Sequence, residues 1–292
     1  MKKQVYLILA ALVLFGFKGM AQGEANVWYF GMNAGLNFPF GPPTALTNGM
    51  CNTSEGSASI ADAAGNLLFY TDGATVWNKL HAPMANGTGL NGNASSTQSG
   101  VIIKQPGNTN IYYVFTTAAQ AAAAGLRYSI VDMNLAAGNG SVTVKNVLLQ
   151  TPSCEKITGV RHCNNVDVWV VSHDYNTNAF RTFLLTATGV GAPVVSNAGL
   201  VPTGAGGNET IGQLKASPDG KKLGSCIWAS TKNVFELFDF NNSTGVVSNA
   251  NLLPQQTATS GAYGCEFSPD GTKFYGTTTV SYTHLDVYKR QV

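Results

Sequence analysis

The sequence predicts an all-β chain folded as a β-propeller with WD40/YVTN-like blades of about 50 residues, and two periodic features carry that prediction. The hairpin text KASPDGKKL around residues 217–220 returns as EFSPDGTKF around residues 268–271. On the same beat, the stretches YSIVDMNLAAGNGSVTVKNVLL, FRTFLLTATGVGAPVVSNAGL and FELFDFNNSTGVVSNANLL place matching asparagines at Asn146, Asn197 and Asn249, 51 and 52 residues apart. A repeat of this length with several short strands per unit marks blades that each need neighbours to bury their faces.

Alternating apolar residues around turn chemistry give the elements in order. NVWYF at 26–30 reads as a strand, the candidate to complete the final blade of a closed ring. The first hairpin, SASIADAAGNLLFYTDG at 57–73, turns at Gly65-Asn66, and the second, VIIKQPGNTNIYYVFTT at 101–117, turns at Pro106-Gly107-Asn108. The third, GVRHCNNVDVWVVSHD at 159–174, turns at Asn164-Asn165, and its Val and Trp run is what a strand buried on both faces looks like. The fourth and fifth carry the SPDG turns. Outer strands follow at 128–133 and 141–149 and at 234–240 and 245–253, with Thr188-Gly189 and Thr244-Gly245 closing outer hairpins. The Ala-rich stretch 118–124 ends at Gly125 between two strands and reads as a loop or a short helical insertion. About five blades are visible, and the sequence stops inside the fifth, so the propeller is expected to be incomplete.

The two ends are set apart from this pattern. Lys2 and Lys3, an apolar run at 5–17 and Gly19-Met20-Ala21 have the layout of a secretory signal peptide, with cleavage expected after Ala21. The run is too short to span a bilayer as a helix, which takes roughly 20 residues. At the other end VSYTHLDVYKRQ, 280–291, abandons the Gly/Ser/Asn/Thr-rich style. Its two halves can be encoded as reverse complements of one another, and it resembles a translated transposase adapter used in preparing sequencing libraries. The expected organisation is a signal peptide at 1–21, a truncated propeller at 22–279 and a non-native tail at 280–292.

Composition narrows the partners. The chain has 17 Lys+Arg and 15 Asp+Glu; without Lys2, Lys3, Lys18, Lys289, Arg290 and Asp286 the balance is 12 against 14. Nothing in that slight negative balance suggests the clustered basic surface a nucleic-acid binder needs. Five cysteines, Cys51, Cys154, Cys163, Cys226 and Cys265, show no zinc-ligand spacing. In an oxidising compartment Cys154–Cys163 and Cys226–Cys265 are candidate disulfides, with buried free thiols as the alternative.

The strings NVWYFGMNAGLNF, LLFYTDGATVWN, EKITGVRHCNNVDVWVVSHD, LKASPDGKKL and GCEFSPDGTKFYGT, in this order, resemble the N-terminal propeller of large secreted Bacteroidetes proteins. In that family the propeller precedes further extracellular modules and a gliding-motility-type C-terminal domain that directs type IX secretion. The resemblance implies export, display at the cell surface and C-terminal modules of the same polypeptide. This sequence contains no such module, so the route of secretion is implied rather than shown.

Chemistry-bearing residues are few. His162 and His173 sit at opposite ends of the third hairpin, and His173-Asp174 is a candidate acid/base or binding pair at a strand end. A turn cap and an intrablade hydrogen bond are the structural alternatives. No paired carboxylates recur across blades, and no GxSxG or zincin motif appears. Asp132-Met133-Asn134 and Asp239-Phe240-Asn241 offer oxygens for calcium or, alternatively, Asx turns. No other cofactor is expected. Of the aromatics Trp28, Tyr70, Trp77, Tyr112, Trp169, Trp228 and Tyr263, Trp77 is the one taken as a candidate binding residue.

The sequence therefore reads as a secreted or surface-displayed, non-enzymatic recognition or adhesion module, with a glycan or protein ligand at the propeller face, no nucleic acid and no transmembrane segment in the mature chain. The alternative is an extracellular propeller enzyme, lactonase-like or quinoprotein-like. An enzyme should gather His, Asp, Glu or Arg from several blades at the central channel.

Overall fold

Strands that alternate their side chains between two faces, repeated with few helical turns between them, can bury both faces by stacking their sheets around an axis. The computed structural model describes residues 23–39, 41–229, 233–253 and 261–279, and residues 286–291 as backbone. The expected signal peptide lies outside the described residues. The chain is a β-propeller of six consecutive sheets. The first is β1 (Val27–Phe30), β2 (Ala34–Asn37) and β3 (Thr44–Leu46); the second is β4 (Ala58–Ala61), β5 (Leu67–Thr71), β6 (Thr75–Asn78) and β7 (Pro83–Thr88). The third is β8 (Gly100–Lys104), β9 (Ile111–Thr117), β10 (Leu126–Asp132) and β11 (Ser141–Gln150); the fourth is β12 (Ser153–Arg161), β13 (Val168–Asp174), β14 (Ala179–Thr186) and β15 (Gly189–Asn197). The fifth is β16 (Leu214–Ala216), β17 (Lys222–Ile227), β18 (Val234–Asn241) and β19 (Val246–Leu252), and the sixth is β20 (Gly261–Phe267), β21 (Lys273–Thr279) and β22 (Asp286–Gln291). Within each sheet the strands are antiparallel and in sequence order. One parallel bridge, Ser141 to Ala85, joins the outer strands of the second and third sheets.

The repeated text is a repeated turn. In the fifth sheet the Ser217 hydroxyl donates to Asp219 at 2.6 Å, and Asp219 and Ser217 accept the Lys221 and Lys222 amides at 3.1 and 2.9 Å. Ser268, Asp270, Thr272 and Lys273 reproduce the set at 2.6, 3.1 and 2.9 Å. Gly220 and Gly271 both stand at positive φ, 67° and 70°, where a Cβ is strained. Asn146 and Asn249 also have positive φ and sit in the bulges of β11 and β19. The recurring asparagine therefore marks a kink in two of the three outer strands. The stretch 118–124 is a loop of turns, as the sequence suggests.

Among the described residues NVWYF pairs with the segment that follows it and not with the sixth sheet. Its strand β1 pairs with β2, and β2 with β3, in a sheet that precedes the first hairpin read from the sequence. Val27 and Tyr29 turn inward onto Tyr70 and Trp77, while Trp28 and Phe30 on the opposite face remain 50% and 37% exposed. In the sixth sheet the backbone of Asp286–Gln291 pairs with β21, from Lys273–Gln291 to Thr278–Asp286. Any extended segment can satisfy a free strand edge through backbone groups alone, so this pairing is independent of the tail's origin.

The core is divided among the interfaces between successive sheets. Phe69, Val76 and Met84 meet Tyr112, Val114 and Val131 between the second and third sheets. Phe115 and Leu126 meet Ile157, Val170 and Phe183 between the third and fourth. Trp169 and Phe180 meet Leu214, Leu223 and Phe238 between the fourth and fifth, and Phe235 and Leu237 meet Phe267 and Phe274 between the fifth and sixth. The last interface is fitted ring to glycine: a Cβ on Gly224 would collide with the Phe274 ring, and one on Gly276 would come 2.6 Å from the Phe235 ring. Gly224→Ala is expected to lower stability by about 1–3 kcal/mol, the usual cost of overpacking. A urea midpoint unchanged from the parent chain would show that the fifth and sixth sheets are not packed this closely.

Candidate functional site

Antiparallel blades sort the propeller into two ends. The turns that follow the inner strands β4, β8, β12, β16 and β20 gather at one end, and the segments that carry the chain from sheet to sheet gather at the other.

At the turn end a cavity of about 790 Å³ opens between the fourth and fifth sheets. Its walls are the β12–β13 turn, with Arg161, His162, Cys163 and Asn165, and the SPDG turn with Lys221; its floor includes Gly159, Lys215 and Glu266 on three inner strands. Both walls are stiff. The Asn164 side-chain oxygen accepts the Val166 and Asp167 amides at 3.0 Å each, and His162 Nδ1 accepts the Asn164 amide at 3.1 Å. The His162 ring lies 5.8 Å from Trp169, whose indole donates to the Asn242 carbonyl of the fifth sheet at 2.9 Å. Lys215 pairs with Glu266 at 3.0 Å. Arg161 and Lys221 have no carboxylate within ion-pair distance among the described residues, so the lining carries a net positive charge.

Of the candidate binding residues and cysteines singled out in the sequence, only His162 and Cys163 belong to this cavity, together with Asn165 and the SPDG residues read there as turns. His173 and Asp174 lie at the far end of the same hairpin and are structural. His173 is 4% exposed, its Nδ1 donates to the Asp174 carbonyl at 2.6 Å, and its ring meets Phe180 edge-on at 4.5 Å. Burial pushes its pKa down to about 4. The Asp174 carboxylate receives the Arg181 guanidinium at 2.9 Å and the Gln150 amide. Trp77 is not a surface platform either: it is 9% exposed and stacks on Tyr70 with centroids 5.4 Å apart. Cys154 is the second residue of β12 and Cys163 lies just beyond its end, so the extended strand from Cys154 to Arg161 alone separates them by about 23 Å at 3.3 Å per residue, far beyond disulfide reach. Asp132 forms an Asx turn, accepting the Asn134 amide at 2.8 Å, and Asp239 is taken up by Lys222 and Asn249 at 2.7 Å each. No metal-binding cluster occurs among the described residues.

The crossing end holds the polar convergence that no motif announced. The Tyr263 hydroxyl on β20 donates to Glu55, ahead of β4, at 2.6 Å. Glu155 on β12 accepts the Thr97 amide and hydroxyl at 2.8 and 2.9 Å and the Gln120 amide at 2.7 Å. The adjacent Lys156 is 1% exposed and donates to the Thr210 and Ile211 carbonyls at 2.6 and 2.8 Å. Burial raises the Glu155 pKa and lowers that of Lys156. The signal that was available is the doublet Glu155-Lys156 inside a strand buried on both faces, where each charge demands a partner.

No family model and no curated protein matches the chain. Among solved structures it is similar to hydrazine synthase from Kuenenia stuttgartiensis (15% identity, TM-score 0.40, 65% of this chain and 47% of that one). It is also similar to a protein assigned as a 6-phosphogluconolactonase from Bacteroides uniformis (15%, 0.46, 88% and 74%) and to the Dos1 propeller (11%, 0.42, 73% and 51%). The chain thus spans about half the length of two of these three. At these identities and scores no activity passes from them to this chain.

Two outcomes follow from the burial pattern. Cys163 is exposed and the other four cysteines are buried, so reduced, native protein is expected to release one equivalent of thionitrobenzoate from Ellman's reagent, five after denaturation, and none when native Cys163→Ser is tested. More than one reactive native thiol would contradict the packing. For His173, with a folded pKa of about 4 against about 6.5 unfolded, the unfolded chain binds the extra proton between those values. Stability present above pH 6.5 is therefore lost as pH falls toward 4, by up to about 3 kcal/mol. The raised carboxyls of Glu155 and Glu236 act in the opposite sense, so the comparison is with His173→Gln, whose unfolding free energy should fall less steeply over that window. Identical slopes would show that His173 is protonated or accessible in the fold.

Proposed function

We propose that this chain is the propeller of a larger secreted, surface-displayed protein and that it works as a non-enzymatic recognition module, holding its ligand in the turn-end cavity. The observation that carries the reading is the cavity's composition. It is bounded by two rigid hairpins; of its two carboxylates Glu266 is paired with Lys215 and Asp219 is held in its own turn by the Ser217 hydroxyl and the Lys221 amide, so Arg161, Lys215 and Lys221 outnumber them and the Arg161 and Lys221 side chains are left to meet a ligand. Side-chain cations outside ion pairs in a concave site favour a carboxylate-bearing ligand, and the described lining holds no Trp, Tyr or Phe, which disfavours stacking of neutral sugars. Uronate-bearing oligosaccharides are the class we commit to. The resemblance to Bacteroidetes surface propellers supports the same setting, and no helix among the described residues is long and apolar enough to cross a membrane.

The test is a glycan array of uronate-bearing oligosaccharides beside their neutral counterparts, followed by calorimetry on any hit. Binding should be selective for the acidic members, weaken with salt, and fall at least tenfold in Arg161→Ala/Lys221→Ala, whose positions are exposed. Equal binding of neutral and acidic glycans, or no binding at all, would overturn the reading. A second reading, an extracellular hydrolase, is favoured by the convergence of Glu55, Glu155 and Tyr263 from separate blades at the crossing end. It requires turnover of a lactone or glycoside that is lost in Glu55→Gln; turnover unaffected by that change, or none, removes it.

A further inference from the structure

We propose that Cys226 and Cys265 are a cross-blade dithiol that closes into a disulfide and staples the sixth sheet to the fifth. Cys226 lies on β17 and Cys265 on β20, both in the one apolar cluster the two sheets share. The Cys265 Sγ lies 3.6 Å from the carbonyl of Gly224, two residues before Cys226 on the same strand. The backbone on either side of them is fixed by a single residue, Gln213. Its carbonyl accepts the Cys226 amide at 2.9 Å and faces the Cys265 thiol at 3.8 Å, its side-chain oxygen accepts the Cys265 amide at 3.2 Å, and its own amide donates to Tyr263 at 2.8 Å. The two cysteines therefore stand side by side in a frame that is already built, and a disulfide needs backbones held close and correctly aimed.

None of the other cysteines has this arrangement. Cys51 belongs to the cluster between the first and second sheets, Cys154 Sγ is directed at the Asp174 carbonyl at 3.4 Å, and Cys163 is at the turn end. The step is ordinary exchange with a disulfide oxidant such as oxidised glutathione. One thiolate attacks the oxidant, forming a mixed disulfide and releasing one glutathione thiolate. The second cysteine thiolate then displaces the other glutathione, so the bond forms as two protein thiols lose two electrons and two protons to the oxidant.

Burial governs when this happens. Cys226 is fully buried and Cys265 is 5% exposed, and burial raises the Cys265 pKa well above that of a free thiol. Attack on an oxidant is thereby slowed in the assembled ring. The bond forms while the sixth sheet is docking. Once made, it closes a loop of about 40 residues and restrains the unfolded chain, the usual source of disulfide stabilisation.

The experiment is refolding of the full chain from denaturant in a glutathione redox buffer and, in parallel, under reductant. Remaining thiols are then blocked with an alkylating agent, and the digested protein is mapped by mass spectrometry. The expected result is a Cys226–Cys265 linked peptide as the main intrachain bridge, two hydrogens lost from the intact mass apart from any glutathione on Cys163, and a higher urea midpoint for the oxidised form. Cys226→Ser should remove both the bridge and the gain. Should that variant fail to fold, the peptide map of the unaltered chain decides alone. Recovery of Cys226 and Cys265 as alkylated peptides after oxidative refolding, or bridges to other cysteines, would overturn the proposal.

Discussion

The inner edge of each blade is the constraint on which the rest of this structure depends. A sheet standing in a ring can bury its two faces against its neighbours, but its innermost strand has backbone groups on one side with no further strand to pair with. Leaving such a group buried and unpaired costs about 1–3 kcal/mol. Here the segment entering β8 supplies the missing partners. The Gln98 carboxamide, shaped like a peptide unit, accepts the Ile157 amide of the fourth sheet at 3.1 Å and the Leu214 amide of the fifth at 2.8 Å, and returns a donor to the Leu214 carbonyl at 3.1 Å. Thr97 beside it bonds Glu155 and accepts the Gly212 amide at 3.1 Å. One short segment of the third sheet thus laces the next two.

That lacing separates the two ends by physical character. The crossing end is filled with buried charges whose partners are almost all backbone groups: Glu155 on Thr97 and Gln120, Lys156 on two carbonyls, Glu236 on the Leu200 amide. Buried ions fixed by neutral donors and acceptors add specificity more than net stability, and they leave little freedom for a ligand. The turn end is held by local hairpin chemistry, which needs nothing from the channel. It can therefore leave a cavity between blades without weakening the ring, and it carries unpaired cations at the cavity rim.

Legibility followed the range of the interactions. The SPDG turns and the kinking asparagines could be read because each is satisfied within a few residues, so identical text must build identical geometry. Ser217 and Ser268 repeat one another almost atom for atom. NVWYF could be read as a strand but not placed, because its alternation is the same whichever sheet it joins; only the partners Ala34–Asn37 decide. Trp77 and His173 were drawn toward a binding role by residue type, and stacking on Tyr70 and Phe180 from other strands took them into the core. Gln98, Lys156, Glu55 and Tyr263 were silent because their partners are scores of residues away and recur with no period. Arg161 and Lys221 flank readable turns, yet nothing in one turn's sequence says that the other stands across a cavity from it.

The central claim, that inner strands of separate blades share one polar lace, is tested most directly by hydrogen exchange on Gln98→Ala read at individual amides. Protection should fall together at Ile157 on β12 and Leu214 on β16, two amides in different blades, while the local turn amides of Lys222 and Lys273 keep theirs. Loss of protection confined to the third sheet, or none at either amide, would contradict it.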